Sequence, residues 1–431
     1  MKWIGRNFWW RQGLGLLALA VLSFLGGARW GGCLFARLTS PTVPPARVSP
    51  SAAVSPEHPT TSSVARQPRP VPAEFEEQAA LILGCTDLLE GQPRLFVDVV
   101  AATYRQTFLI GLVASRQEYE LAVGLLRQHG LPDRAVCFVA LPVETMWARD
   151  YGPFFLRRAD GSCFIADAEL PLKAGATRTR YLPDDQVPSR LGTVMGLEVV
   201  PVPMYLIGGN LLSNGDGLCL TSTKLAAYNR LRGYDNQKVA AMLQGHFGFT
   251  SWVCVRPLAG ETTGDVDMFA AFLAPNVAVV GEVSPSVDPE NAQRLDAAAW
   301  VLAQQRTSLG PMRVHRVPMP PKRNDRWRTY TNVAFANGVL LVPTYADVDA
   351  GMQDGVLALY ARLMPGWKVV GIRCDDLAAR RGVLHCITRE VPKFVSLEPL
   401  RHAAVRQPVE AFGAADSSAA VTADLVQPRL R

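Results

Sequence analysis

Histidine, charge and metal-binding spacings are what this 431-residue chain has least of. It contains six histidines, and charged residues make up only 19% of it. No dense Lys/Arg tract occurs, and many of the arginines fall in the two terminal segments. The net charge of +6 therefore forms no basic footprint, which argues against a nucleic-acid partner. Eight cysteines are scattered between Cys33 and Cys386, with no C-x-x-C pair and no Cys/His cluster at zinc spacing. A disulfide framework and a structural metal are both disfavoured, and most of the thiols are expected as small buried side chains. No cofactor-binding pattern is present either.

Apolar residues are abundant, at 48%, and allow a sizeable core. At the start, Lys2, Arg6 and Arg11 precede an uncharged run from Gln12 to Ala28, closed by Arg29. Residues 1–37 read as an export signal or a signal anchor. The apolar run is short for a spanning helix, although Trp3, Phe8, Trp9 and Trp10 add interfacial anchoring. The basic flank places the N-terminus inside and the rest outside, so a membrane-anchored or exported protein is expected. Cys33 follows Gly31-Gly32 as in a lipoprotein signal, but Arg29 and Trp30 are unsuited to that cleavage. Residues 38–71 are rich in Pro, Ser, Thr, Val and Ala and read as a linker. Residues 398–431 read as a low-complexity tail, leaving 72–397 for one domain.

That middle region repeats one unit. Asp150 is followed by YGPFFLRR, the turn ADG and SCFIADAEL; Asn210 by LLS, NGDG and LCLTST. Asp267 is followed by MFAAFL, APN and VAVVGE; Asn332 by VAFA, NG and VLLVPTY. Cys386 is followed by a single strand-like run, ITREVPKFV. The leading polar residues are 60, 57, 65 and 54 positions apart. Apolar runs around Gly/Asn/Asp turns predict hairpins. Helical periodicity follows over 223–244, 289–305 and 353–363, then a short strand each time. A helix over 117–128 and a strand over 135–140 precede Asp150 in the same order. About five ββαβ units of roughly 55–65 residues predict an α/β propeller whose strand starts meet on the axis. A linear solenoid is the alternative.

Convergence would join Asp150, Asn210, Asp267, Asn332 and Cys386. Two carboxylates suit the rigid N–H fork of a guanidinium. A thiol beside that cation could become a thiolate and attack its central carbon. Singly, each residue has an ordinary explanation: Cys386 as a small buried side chain, Asp150 as a turn former before Gly152-Pro153, Asp267 as a local cap. Their shared place in the repeat is what favours a site.

The quoted segments resemble the agmatine deiminase and bacterial (Porphyromonas-type) peptidylarginine deiminase family of the guanidino-group-modifying superfamily. The likeness runs through VPAEFEEQ at 71–78, MWARDYGP at 146–153, GGN at 208–210, TTGDVDMFA at 262–270, YTN at 330–332, LVPTY at 341–345 and HCITREVP at 385–392. It implies a pentein-type five-bladed α/β propeller. It implies a C–N hydrolase of linear amidines that needs no cofactor or metal. Agmatine would become N-carbamoylputrescine, or peptidyl-arginine would become peptidyl-citrulline. By motif match Cys386 is the nucleophile, Asp150 and Asp267 bind the guanidinium, and Trp147 and Asn332 shape the pocket.

Two positions depart from that pattern. The resemblance implies His two residues before the second Asp, where Asp265 stands. It also implies Glu immediately before GGN, where Ile207 stands. Asp265 is the candidate acid in place of that His, with its proton shared across a carboxylate cluster. The alternatives are a guanidino-binding protein without turnover and a displayed structural module. Among the other histidines, His385 is expected on a strand beside Cys386, facing the opposite way.

Overall fold

A computed structural model of the chain describes residues 68–171 and 182–400. The expected signal or anchor at 1–37, the expected linker at 38–71 except for residues 68–71, and the expected tail at 398–431 except for residues 398–400 lie outside the described residues. Among those described, no helix is long and apolar enough to cross a membrane.

Among the described residues, five mixed sheets, four of three strands and one of four, form the blades, and Arg306–Thr307 pairs with Gly310–Pro311 as a separate two-stranded ribbon. Each three-stranded sheet is an antiparallel hairpin, a helical crossover and a parallel third strand. The Asn332 unit shows why its sequence folds this way. Ala334–Ala336 pairs with Val339–Thr344 in the register Ala336↔Val339, which leaves Asn337-Gly338 as a two-residue turn. Both turn residues have positive φ, 40° and 86°, the geometry for which Asn-Gly is suited. The helix Ala350–Leu363 follows, with Asp349 accepting from Met352 N at its N-cap. Lys368–Arg373 then runs parallel to Val339–Thr344. The units from Asp150, Asn210 and Asp267 repeat this order. In the Asn210 unit the expected helix over 223–244 is two, Thr223–Arg230 and Asn236–Phe247, parted by Gly233 at φ 78°.

The fifth sheet joins the two ends of the domain. Thr388–Pro392 pairs antiparallel with Gln78–Gly84, so the lone strand after Cys386 is completed by the N-terminal part of the domain. Gln78–Gly84 runs parallel to Phe108–Val113, which runs parallel to Cys137–Ala140. The helix Pro93–Thr103 crosses over first and Arg116–Gln128 second. The sequence shows the second crossover and its strand, but not that they add a fourth strand to a complete unit. The result is a five-bladed α/β propeller with its blade starts at one centre.

The first and last stretches pack farther out than the composition indicates. Pro68 bridges Arg158, Arg69 N donates to Arg157 O, and Val71 is buried among Phe154, Phe247 and Met204. Leu400 is likewise buried, against the Ile82 and Ile110 cluster. Apolar contact, not periodicity, fixes these ends, which is why a Pro/Ser/Thr-rich segment hides them.

Gly84, at the end of the central strand of the closing sheet, abuts the MWARD segment. A Cβ there would stand 2.1 Å from Met146 O, a backbone atom that cannot move aside. Gly84→Ala should therefore destabilise the domain by about 1–3 kcal/mol, read as a lowered urea midpoint with unchanged m-value.

Candidate functional site

The blade starts are short turns and single helical turns, not strands. Cys386 lies in the turn ahead of Thr388–Pro392. Its carbonyl accepts from Arg149 N at 3.0 Å, and Ile387 O accepts from Gly84 N at 3.1 Å. Asn332 holds the same turn from the next blade. Its Oδ1 accepts from His385 N at 3.0 Å, and its Nδ2 donates toward Cys386 Sγ at 3.4 Å. The thiol is partly exposed, 3.7 Å from Asp267 Oδ2 and 3.6 Å from Asn332 Oδ1.

Asp267 sits in the helical turn Val266–Met268 and is buried. Oδ2 is engaged, whereas Oδ1 is buried with no hydrogen-bond partner among the described residues. An unpaired buried carboxylate oxygen is costly, and beside a thiol it is a ready acceptor for a ligand N–H. Asp265 is buried two residues earlier. Both Asp side chains lie against the GGN turn: a Cβ at Gly209 would stand 2.9 Å from Asp267 Oδ2 and 3.4 Å from Asp265 Oδ2. The second glycine of that motif thus makes room for two carboxylates.

Asp150 occupies the helical turn Ala148–Tyr151. With Trp147 and Ile207 it lines a cavity of about 20 Å³, roughly the space of one water. Asp184 braces this wall by accepting from Glu144 N at 2.6 Å and Thr145 Oγ1 at 2.8 Å. Trp147 lies flat on Gly382, where a Cβ would come within 2.3 Å of the indole. Ile207 puts an apolar side chain on the wall that Asp150 and Trp147 share. Asn210 is absorbed by structure: its Oδ1 accepts from Ser222 N at 2.7 Å and holds its own hairpin. The structure therefore brings Cys386, Asp267 and Asn332 into contact, and places Asp265, Asp150 and Trp147 around them.

His385 corrects the expectation of a side chain turned away. It lies in a turn, so strand alternation does not apply, and its buried ring enters the site. Nδ1 is 2.7 Å from Asp267 Oδ2, and Nε2 is 2.8 Å from both oxygens of Glu74. Glu74 pairs with Arg149 at 3.0 Å, and Arg149 pairs with Glu390 at 2.7 Å. Glu74, Arg149 and Glu390 all fall within the quoted motifs. Sequence reasoning gave them no role, although an Arg amid apolar motif residues needs buried acidic partners.

The electrostatics follow from burial. Enclosure pushes the Cys386 thiol well above its usual value, and the Asp267 and Asp150 charges push it further. Cys386 is held as the thiol. Burial and the Arg149 charge work against an imidazolium at His385, but Glu74 and Asp267 outweigh them and raise its pKa. Burial also works against the Glu390 charge, yet Arg149 and Arg389 hold that carboxyl down at about 2.

Known proteins match this chain over the same region. The family model described as Porphyromonas-type peptidyl-arginine deiminase matches residues 70–392. A relative named "Putative agmatine deiminase", from Shewanella sp. (strain MR-7), is 24% identical over 282 residues, 60% of this chain and 76% of the relative. The crystal structure of the "Putative Arginine Deiminase from Porphyromonas gingivalis" is 27% identical, with a TM-score of 0.64, and covers 75% of this chain and 98% of that one. The agmatine deiminase of Enterococcus faecalis shares the fold at 21% identity, with a TM-score of 0.66 over 76% of this chain and 97% of that one.

Arg149→Met strands Glu74 and Glu390 in the interior and should cost about 3–5 kcal/mol at neutral pH. Glu390 is depressed from 4.5 to about 2, so its contribution is present above pH 4.5 and lost as pH falls through about 2. The stability gap between wild type and Arg149→Met in urea should narrow over that acid window. A gap that stays constant to about pH 2 would show that Glu390 does not share in it.

Proposed function

The chain belongs to the Porphyromonas-type peptidyl-arginine deiminase family, and from that premise we propose that its central pocket takes a guanidinium and hydrolyses it to a ureido group. That family's chemistry is guanidino-group deimination, a hydrolysis of a C–N bond. The observation that carries the reading to these residues is the contact of Cys386 Sγ with Asp267 and Asn332, beside a buried Asp267 oxygen that has no partner among the described residues.

The steps use this chain's own groups. Asp150 and the free oxygen of Asp267 accept guanidinium N–H bonds and centre the planar cation over the thiol. The cation opposes the two carboxylates that raise the Cys386 pKa, so binding favours the thiolate where it is needed. Sulfur attacks the central carbon. The thiol proton, taken up by a site carboxylate, leaves with ammonia, and a thiouronium remains on Cys386. Water adds to that carbon, the C–S bond breaks, sulfur regains a proton and the ureido product departs. Asp265 occupies the acid/base position and handles both proton transfers. A carboxylic acid there, with Ile207 beside the pocket in place of a carboxylate, replaces an imidazole and its partner. Loss of a matched general acid/base costs roughly 10²–10⁴-fold, so slow turnover is expected on agmatine and on peptidyl-arginine alike.

A second reading rests on the same two residues. With Asp265 and Ile207 at those positions, the pocket keeps its cation clamp and nucleophile but has no histidine in the acid position. The protein would then bind guanidino ligands without turning them over. The N-terminal charge pattern places either activity on the far side of a membrane, with 1–37 as anchor or signal. A fractionation of expressing cells tests that placement.

Ureido product formation from agmatine and from arginine peptides, measured on purified protein, decides between the readings. Slow turnover abolished by Cys386→Ala and lowered at least about 10²-fold by Asp265→Ala supports hydrolysis through Asp265. Turnover that survives Asp265→Ala removes Asp265 from the mechanism. No product, with a thermal shift on agmatine that Asp267→Asn abolishes, supports the binder.

A further inference from the structure

The blade before that of Asn332 supplies Asp267, and the segment ahead of the closing sheet supplies Glu74. His385 stands between them with both ring nitrogens engaged, at 2.7 and 2.8 Å from carboxylate oxygens. A neutral imidazole has one N–H and one lone pair, so it can donate to only one of these carboxylates and must set its lone pair against the other. An imidazolium donates to both, in the charge-assisted form that gives such short contacts.

We propose that His385, as an imidazolium bridging Asp267 and Glu74, is the positioning residue that fixes which oxygen of Asp267 faces the guanidinium. This rests on the pocket being a guanidinium site, and adds a device that sets its geometry. Three observations carry it. First, His385 takes Asp267 Oδ2 and leaves Oδ1 buried and unpartnered, so the carboxylate is divided into a held and an offered oxygen. Second, the ring cannot follow Asp267 if that side chain turns. His385 N is bound to Asn332 Oδ1 at 3.0 Å, and His385 O accepts from Arg149 Nε at 3.4 Å. Third, Glu74 is itself fixed, because its Oε1 also accepts from Arg149 Nη1 at 3.0 Å while Arg149 is forked onto Glu390. The chain of alternating charges therefore ends at the substrate-facing oxygen.

The charged groups facing His385 are Asp267 on one side, Glu74 on the other and Arg149 behind, with Glu390 beyond Arg149 and the Cys386 thiol on the next residue. The two carboxylates raise the pKa of the ring against burial and Arg149, so the bridge is intact below the usual imidazole value of 6.5 and is lost as pH rises through a higher folded value. Loss of the proton breaks one of the two N–H contacts and frees one carboxylate to turn. Recognition of a cation should then weaken over the same alkaline range in which the thiol becomes more nucleophilic. General thiol chemistry would show only the second trend.

The test compares two alkylating reagents on the full chain at a series of pH values. 2-Chloroacetamidine carries a guanidinium-like cation, and chloroacetamide is its neutral counterpart. The ratio of their rates at Cys386 reports the clamp together with the thiolate that a bound cation favours; Glu74 is not among the charges that raise the thiol, so the response of the ratio to Glu74→Gln isolates His385. The proposal expects a ratio above one that falls as His385 loses its proton. Glu74→Gln, which removes a charge but keeps the shape, should move that fall to lower pH. His385→Gln should flatten the profile and lower the acid-side ratio about tenfold, roughly the worth of one charge-assisted hydrogen bond. A wild-type ratio of one at every pH would defeat the guanidinium reading itself. A high ratio that is flat with pH in wild type, or unmoved by Glu74→Gln, would retain that reading and overturn the role given to His385. The wild-type and Glu74→Gln profiles together decide even if His385→Gln does not fold.

Discussion

The buried ion pair between Arg149 and Glu390 is the constraint on which the site depends. Arg149 is almost fully enclosed, and its charge is tolerable only because Glu390 and Glu74 meet it from two sides. Its backbone contributes as well, since Arg149 N donates to Cys386 O and its carbonyl lies against Gly208. One residue thus touches the nucleophile turn, the GGN turn and the acidic chain leading to Asp267. Asp150, the next residue, inherits its place from this anchorage.

A second tension lies between recognising the ligand and arming the nucleophile. Carboxylates suited to a cation also suppress a neighbouring thiolate, and the Cys386 thiol is held well above its ordinary pKa by its enclosure first and by Asp267 and Asp150 next. On the reading proposed above, a cation with the right fork lifts the suppression as it binds, which ties reactivity to recognition. Ile207 and Asp265 change the apportioning of charge around Asp150 and Asp267.

The repeat was legible because its signals are local. Hairpin turns such as Asn337-Gly338 and apolar runs such as Val339–Thr344 declare themselves within a few residues. The motifs led to Cys386, Asp267 and Asn332, which do meet. Two kinds of fact were hidden. One is partnership across long separations: Glu74 and His385 are 311 residues apart, and no spacing rule links them. The other is the conformation of a short turn. Treating residues 385–387 as strand assigns His385 to the wrong face, whereas the turn ahead of Thr388 swings its ring into the site beside the thiol. Asn210 shows the converse, since its place in the repeat equals that of Asp267 but its side chain is spent on a local backbone bond.

The pairing of Thr388–Pro392 with Gln78–Gly84 has a bearing on when the site comes into being. The strand that follows the nucleophile is the last of the described strands to leave the ribosome, and its partner is the first. Closing a loop of that length carries an entropic cost that local hairpins do not, so it is expected late in assembly. Until then Cys386 has neither Asn332 nor Asp267 beside it, and His385 has no carboxylates to bridge. Completion of the ring and creation of the site are one event, and the order of the chain makes it the final one.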